Sequence, residues 1–91
     1  MTISLEITIH NQVGLHARPA TLFVKEAAKF TSKIQIENLT VPSPAVEARS
    51  LLMILSIGVE QGHTVRITAE GADEIQAVEA LKTLIENNFG E

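Results

Sequence analysis

The hydrophobic period of this chain changes several times, and those changes limit the folds open to it. Residues 2–9 read Thr-Ile-Ser-Leu-Glu-Ile-Thr-Ile, which puts Ile3, Leu5, Ile7 and Ile9 on one face at a period of two. That pattern predicts a half-buried β-strand. From about His16 the period lengthens, with Ala20, Phe23, Val24, Ala27 and Phe30 recurring at helical intervals while Lys25, Glu26 and Lys29 lie off the stripe. Pro19 falls in the first turn of this helix, where N–H groups have no intrahelical partner to lose. Residues 32–37 alternate again with Ile34 and Ile36 inward. Pro42 and Pro44 then break the pattern and confine any strand there to a short edge near residues 43–46. The apolar block Leu51-Leu52-Met53-Ile54-Leu55, ending at Gly58, predicts a short helix too apolar to be wholly exposed. Residues 63–69 alternate once more. A last helix follows Gly71, with Asp73 and Glu74 in its first turn and Ile75, Val78, Leu81, Leu84 and Ile85 as its stripe. The order is β-α-β-β-α-β-α. Alternating strands with single-faced helices describe an antiparallel sheet covered on one side, an open-faced sandwich of the α/β (α+β) class.

Composition bears on what such a sheet can enclose. At 91 residues and 45% hydrophobic, the chain has the length of one small domain and too much apolar content for disorder. A domain of this size buries about 60–65% of the surface its unfolded chain exposes, so the functional site is expected on the surface. Cysteine is absent, which removes disulfides, thiol nucleophiles and thiolate metal sites and fits a reducing compartment. No apolar run approaches a membrane span, and the first residues alternate rather than forming a signal-peptide core. The formal net charge of −4 is unevenly spread. Residues 1–49 hold five basic groups (Arg18, Lys25, Lys29, Lys33, Arg49) against four acidic ones, whereas residues 50–91 hold two against seven. With no basic–aromatic stripe, nucleic acid is not the expected partner, and an acidic protein surface is.

The segment Gly14-Leu15-His16-Ala17-Arg18-Pro19-Ala20 carries chemistry. Glycine permits a tight entry, His16 stands at the N-cap, and the backbone N–H groups of Ala17 and Arg18 lie at the positive end of the helix, an anion site. Arg18 adds a planar fork that matches phosphate oxygens. Beside these positive groups the neutral ring with a free lone pair is the favoured form, a nucleophile poised over a phosphate cradle. The plainer alternative is that His16 is an N-cap or surface residue in an ordinary first turn. His10 ends a strand and His63 begins one, and neither has a ligand partner at metal spacing, so no metal site is expected.

Gly-Leu-His-Ala-Arg-Pro-Ala, with Phe23-Val24 and Ala27 after it, resembles the active-site signature of HPr, the histidine phosphocarrier of the bacterial phosphoenolpyruvate-dependent sugar phosphotransferase system. Ser50-Leu51-Leu52-Met53 with Leu55 and Ile57-Gly58 resembles that family's second helix, and residues 70–74 its entry to the last one. The resemblance implies one HPr domain over residues 1–91: an open-faced β-sandwich whose four-stranded antiparallel sheet is covered by three helices. It implies a cytoplasmic, cofactor-free, monomeric carrier rather than an enzyme with turnover. His16 would take a phosphoryl group, on Nδ1, from phosphorylated enzyme I and give it to enzyme IIA domains of sugar transport, with Arg18 as the phosphate's partner. It also implies a regulatory site at Ser50, phosphorylated in some members by an HPr kinase/phosphorylase to bind a transcriptional regulator, against the plain reading of Ser50 as an N-cap. Lys25, Lys29, Arg49, Leu51, Leu52 and Leu55 are the expected partner-binding residues. The stretch between Ile36 and Ser50, with Pro42-Ser43-Pro44, departs from the family pattern, as does Val13 before the glycine. Two other functions stay open: a regulatory adaptor of the nitrogen-related or catabolite-control branch acting by phosphorylation-dependent binding, and a purely structural interaction module.

Overall fold

A computed structural model describes residues 2–90. The elements follow the expected order: β1 Thr2–Thr8, α1 Ala17–Ala27, β2 Lys33–Asn38, β3 Val46–Glu47, α2 Leu51–Ser56, β4 Thr64–Glu70 and α3 Glu74–Glu86, with a short 3-10 turn at Asn88–Gly90. The four strands form one sheet in the order β1-β4-β2-β3, and every pairing is antiparallel. β4 therefore lies between two strands that precede it in sequence, with Ile67 opposite Leu5 on one side and Ile36 on the other. This is the open-faced sandwich that the periods implied.

The strand period sorts the two faces. Ile34, Ile36, Val65, Ile67 and Ala69 are buried beneath the helices with Phe23, Ala27, Ala77, Val78, Leu81 and Ile85. Ile3, Leu5 and Ile7 are only partly buried because β1 is an edge strand. On the open face Arg66 of β4 reaches Glu6 of β1 (Nη2–Oε2 2.9 Å) and Glu37 of β2 (Nη1–Oε1 3.1 Å), its direct neighbours in register. The Glu6 hydrogen bond and both carboxylates hold the Arg66 guanidinium still more firmly protonated than usual.

Two expectations need correction. Ile75, placed on the inner stripe of α3, is 61% exposed, and Ala77 takes the inward position because the buried face runs through Ala77, Val78, Leu81 and Ile85. The edge strand lies at Val46–Glu47 rather than near 43–46, because pairing starts only after Pro44 has passed. The turn before it is built on Asn38. Its Oδ1 accepts from Thr40 N (3.0 Å) and Val41 N (3.2 Å), while its own N–H donates to Ser43 Oγ (2.9 Å).

The start of α3 is tied to the start of β2. The Asp73 carboxylate accepts from the Thr31 and Ser32 backbone N–H groups, both at 2.9 Å, and from the Ser32 hydroxyl. These bonds, the Ser32 hydroxyl first and then the Thr31 N–H, hold Asp73 down at a pKa of about 2.

Candidate functional site

The turn into α1 is set by a glycine that no other residue replaces without cost. Gly14 has φ +62, and a Cβ built there would lie 2.5 Å from Val59 O and 2.6 Å from Glu60 Cα. The backbone of the 58–63 loop is thereby allowed to lie directly against the turn. Leu15 N–H donates to Val59 O (2.9 Å), and the buried Asn11 amide donates to Gly14 O (2.8 Å), fixing the turn from both sides. Leu15 is buried as the anchor of this turn, so the next residue, His16, points outward.

His16 is the N-cap of α1, with extended backbone (φ −78, ψ −174) and an exposed side chain that makes no capping hydrogen bond. Its carbonyl accepts from Ala20 N (2.9 Å), the first bond of the helix. The N–H groups of Ala17 and Arg18 thus fall in the first turn, where no intrahelical carbonyl stands before them, and Pro19 contributes none. Thr21 Oγ1 closes the same turn onto Ala17 O at 2.6 Å. The result is an uncommitted imidazole at the positive end of an eleven-residue helix.

A shallow depression of about 330 Å³ lies beside that ring, lined by Leu15, His16, Ala17, Leu55, Gly58, Val59 and Glu60. Of the residues anticipated from the sequence, it brings together His16, Ala17 and Leu55. Arg18 is exposed in the first turn but does not line it. Lys25 and Lys29 are exposed further along α1, Lys29 paired with Glu26 at 3.0 Å. The wall formed by Gly58, Val59 and Glu60 was not anticipated. Those residues lie more than forty positions from His16, and only the Gly14 turn, which demands a backbone neighbour, hints at them.

Next to the depression, α2 presents an apolar surface. Leu51, Leu52, Met53 and Leu55 are all exposed, Leu52 to 77%, and Ile54 alone in this helix is buried. The sequence predicts a helix too apolar to be wholly exposed, and Ile54 is the side chain that the fold covers. Ser50 caps it, its Oγ accepting from Met53 N at 3.3 Å. Arg49, expected to face a partner, spends its guanidinium inside the chain, donating to Phe30 O (2.8 Å), Ser32 O (2.6 Å) and Glu47 Oε1 (3.1 Å). It fastens β3 and the entry to α2 onto the start of β2.

His63 has a structural task. Its Nδ1 accepts from Glu60 N–H (3.1 Å), so the ring proton sits on Nε2, and the Asn38 amide lies 3.2 Å from the same nitrogen. Among the described residues no group of three or more His, Asp or Glu side chains is placed to hold a metal ion. Among the described residues no helix is long and apolar enough to cross a membrane.

A sequence profile described as the PTS HPr component phosphorylation site matches residues 3–87. The chain is 52% identical over 84 residues to the multiphosphoryl transfer protein of Haemophilus influenzae, covering 92% of this chain and 17% of that protein. It therefore spans about a sixth of that relative's length. Among solved structures, HPr-C-His from Thermoanaerobacter tengcongensis superposes with a TM-score of 0.91 at 48% identity, covering 98% of this chain and 97% of the other. The phosphocarrier protein HPr of Bacillus anthracis superposes at 0.85 with 36% identity, over 92% and 96% of the two chains.

Proposed function

The chain belongs to the HPr family of the phosphotransferase system, and from that premise we propose that residues 1–91 act as one phosphocarrier domain in which His16 accepts a phosphoryl group from phosphorylated enzyme I and passes it to enzyme IIA domains. The observation that carries this reading is the exposed His16 ring at the N-cap of α1, engaged in no capping bond and set at the positive helix end.

A ring nitrogen attacks phosphorus as the donor's phosphorus–nitrogen bond breaks, and the displaced electron pair returns to the donor ring. No electron or proton need change hands overall, and no cofactor takes part. The chain's task is placement and charge stabilisation: Gly14 and Leu15 aim the ring, the first-turn N–H groups face the added phosphate, and Arg18 adds a permanent charge. Openness matters equally, since successive partners must reach the same atom, and a shallow rim beside an apolar α2 surface suits repeated docking. Leu51, Leu52 and Leu55 are the proposed partner contacts there, with Lys25 and Lys29 as charges for an acidic partner. The carrier is proposed to be monomeric and cytoplasmic.

Incubation with phosphoenolpyruvate and enzyme I is expected to leave an acid-labile, alkali-stable phosphate on the chain that is transferred onward to a IIA domain. Equal labelling of a His16→Ala protein would end this reading.

The regulatory reading, an adaptor acting through phosphorylation-dependent binding, rests on Ser50. Its partly exposed hydroxyl stands at the N-terminus of α2, where a phosphate would meet the helix's positive end while placing a dianion beside the docking surface. Arg49, held by Phe30 and Ser32, is not spare to offset it. Treatment with an HPr kinase/phosphorylase and ATP decides this: phosphoserine at position 50 supports the adaptor and binding of a transcriptional regulator, and its absence removes them.

A further inference from the structure

Glu60 supplies the one carboxylate among the described residues that line the depression beside His16. Its backbone is held on every side. Gly14 packs against its Cα, Leu15 N–H bonds to the preceding carbonyl at 2.9 Å, Glu60 N–H donates to His63 Nδ1 at 3.1 Å, and His63 N–H returns to Glu60 O at 3.0 Å. Asn38 in turn holds the His63 ring from the core side. An acidic side chain thus springs from a fixed point on the wall of the depression that His16 also lines.

Resting on the carrier reading above, we propose that Glu60 is a tuning residue, which raises the phosphoryl-transfer potential of phosphorylated His16 and so favours release of the phosphate to the acceptor. The first-turn N–H groups and Arg18 stabilise the phosphorylated ring, and left alone they would make it a reluctant donor. Glu60 opposes them. In the unphosphorylated chain its carboxylate shares the depression with a ring that bears no phosphate, but once phosphate is added two like charges share it. The repulsion ends when the phosphorus–nitrogen bond to His16 breaks, its electron pair returns to the ring, and the phosphoryl group bonds to the acceptor's nucleophile. Because the site is open and solvated, the effect is screened, and one such pair shifts the exchange equilibrium by about threefold.

Competition between wild type and Glu60→Gln for limiting phosphoenolpyruvate, equilibrated by catalytic enzyme I, measures that shift. The expected result at low salt is about threefold preference for phosphate on Glu60→Gln. The preference should fall toward unity as salt rises, and Glu60→Asp should stay near wild type. Equal partition at every salt concentration, or the same preference with Glu60→Asp, overturns the proposal. A second measurement needs no partner: protein phosphorylated with phosphoramidate is titrated by 31P NMR, and the phosphoryl midpoint in Glu60→Gln is expected at lower pH than in wild type. Coincident midpoints overturn the proposal. Failure of enzyme I to phosphorylate wild type would instead strike the carrier reading, and the phosphoramidate titration would still decide Glu60.

Discussion

Gly14 and His16 stand two residues apart and divide the work of the site between backbone and side chain. The glycine, at φ +62 with the Val59 carbonyl oxygen 2.5 Å from where a Cβ would stand, lets two loops touch. Gly14→Ala is expected to cost about 2 kcal/mol or more in stability, because the methyl group meets backbone atoms rather than a flexible side chain. Thermal unfolding would show it as a clear drop in Tm, and an unchanged Tm would mean that the 58–63 loop moves freely. His16 was legible in the sequence because its neighbours are contiguous: glycine, cap position, arginine and first-turn proline follow one another. Glu60 was not, since nothing local marks a residue brought in from a distant loop. Arg49 misled for a related reason. A charged residue beside an apolar run reads as surface, and only the fold shows the Phe30 and Ser32 carbonyls waiting for it.

At the scale of elements, α2 is where periodicity carried least information. A six-residue helix with five consecutive apolar positions has no polar face to orient it, so sequence alone could not say which side is covered. The structure buries Ile54 and leaves Leu52 in solvent. Ile54→Ala is accordingly expected to destabilise by about 2–4 kcal/mol in denaturant unfolding. Leu52→Ser should change stability by less than about 0.5 kcal/mol while raising the KM of enzyme I for this carrier. The reverse ranking would mean that α2 is turned the other way. Ser50→Ala should remove the cap to Met53 and cost about 1 kcal/mol, whatever the serine's regulatory fate. The strands were more legible, because a period of two fixes both face and type. β3 was the exception, its place set by where the prolines end and by the Asn38 turn.

For the whole molecule, the element order was readable from changes of period, but the order of strands in space was not. Placing β4 between β1 and β2 depends on contacts far apart in sequence, whose register no local pattern records. Long-range ties of this kind also give the fold a pH dependence. Asp73, holding the start of β2, has its pKa lowered from 3.8 to about 2. A carboxylate with a depressed folded pKa contributes stability that is fully present above the unfolded value and lost as pH falls toward the folded one. Stability is therefore expected to decline between about pH 4 and pH 2. Asp73→Asn should be less stable than wild type at neutral pH and lose stability less steeply across that window. Parallel acid profiles for the two proteins would remove Asp73 from the explanation.

The proposed carrier function rests on one atom, a ring nitrogen of His16 held outward by Gly14 and Leu15 at the positive end of α1. Phosphorylating 15N-histidine-labelled protein with enzyme I and phosphoenolpyruvate, then recording phosphorus–nitrogen coupling by NMR, locates the phosphate directly. A single coupled nitrogen, Nδ1 of His16, is the predicted result. Coupling at His10 or His63 instead, or phosphate found on a residue other than histidine, would contradict it.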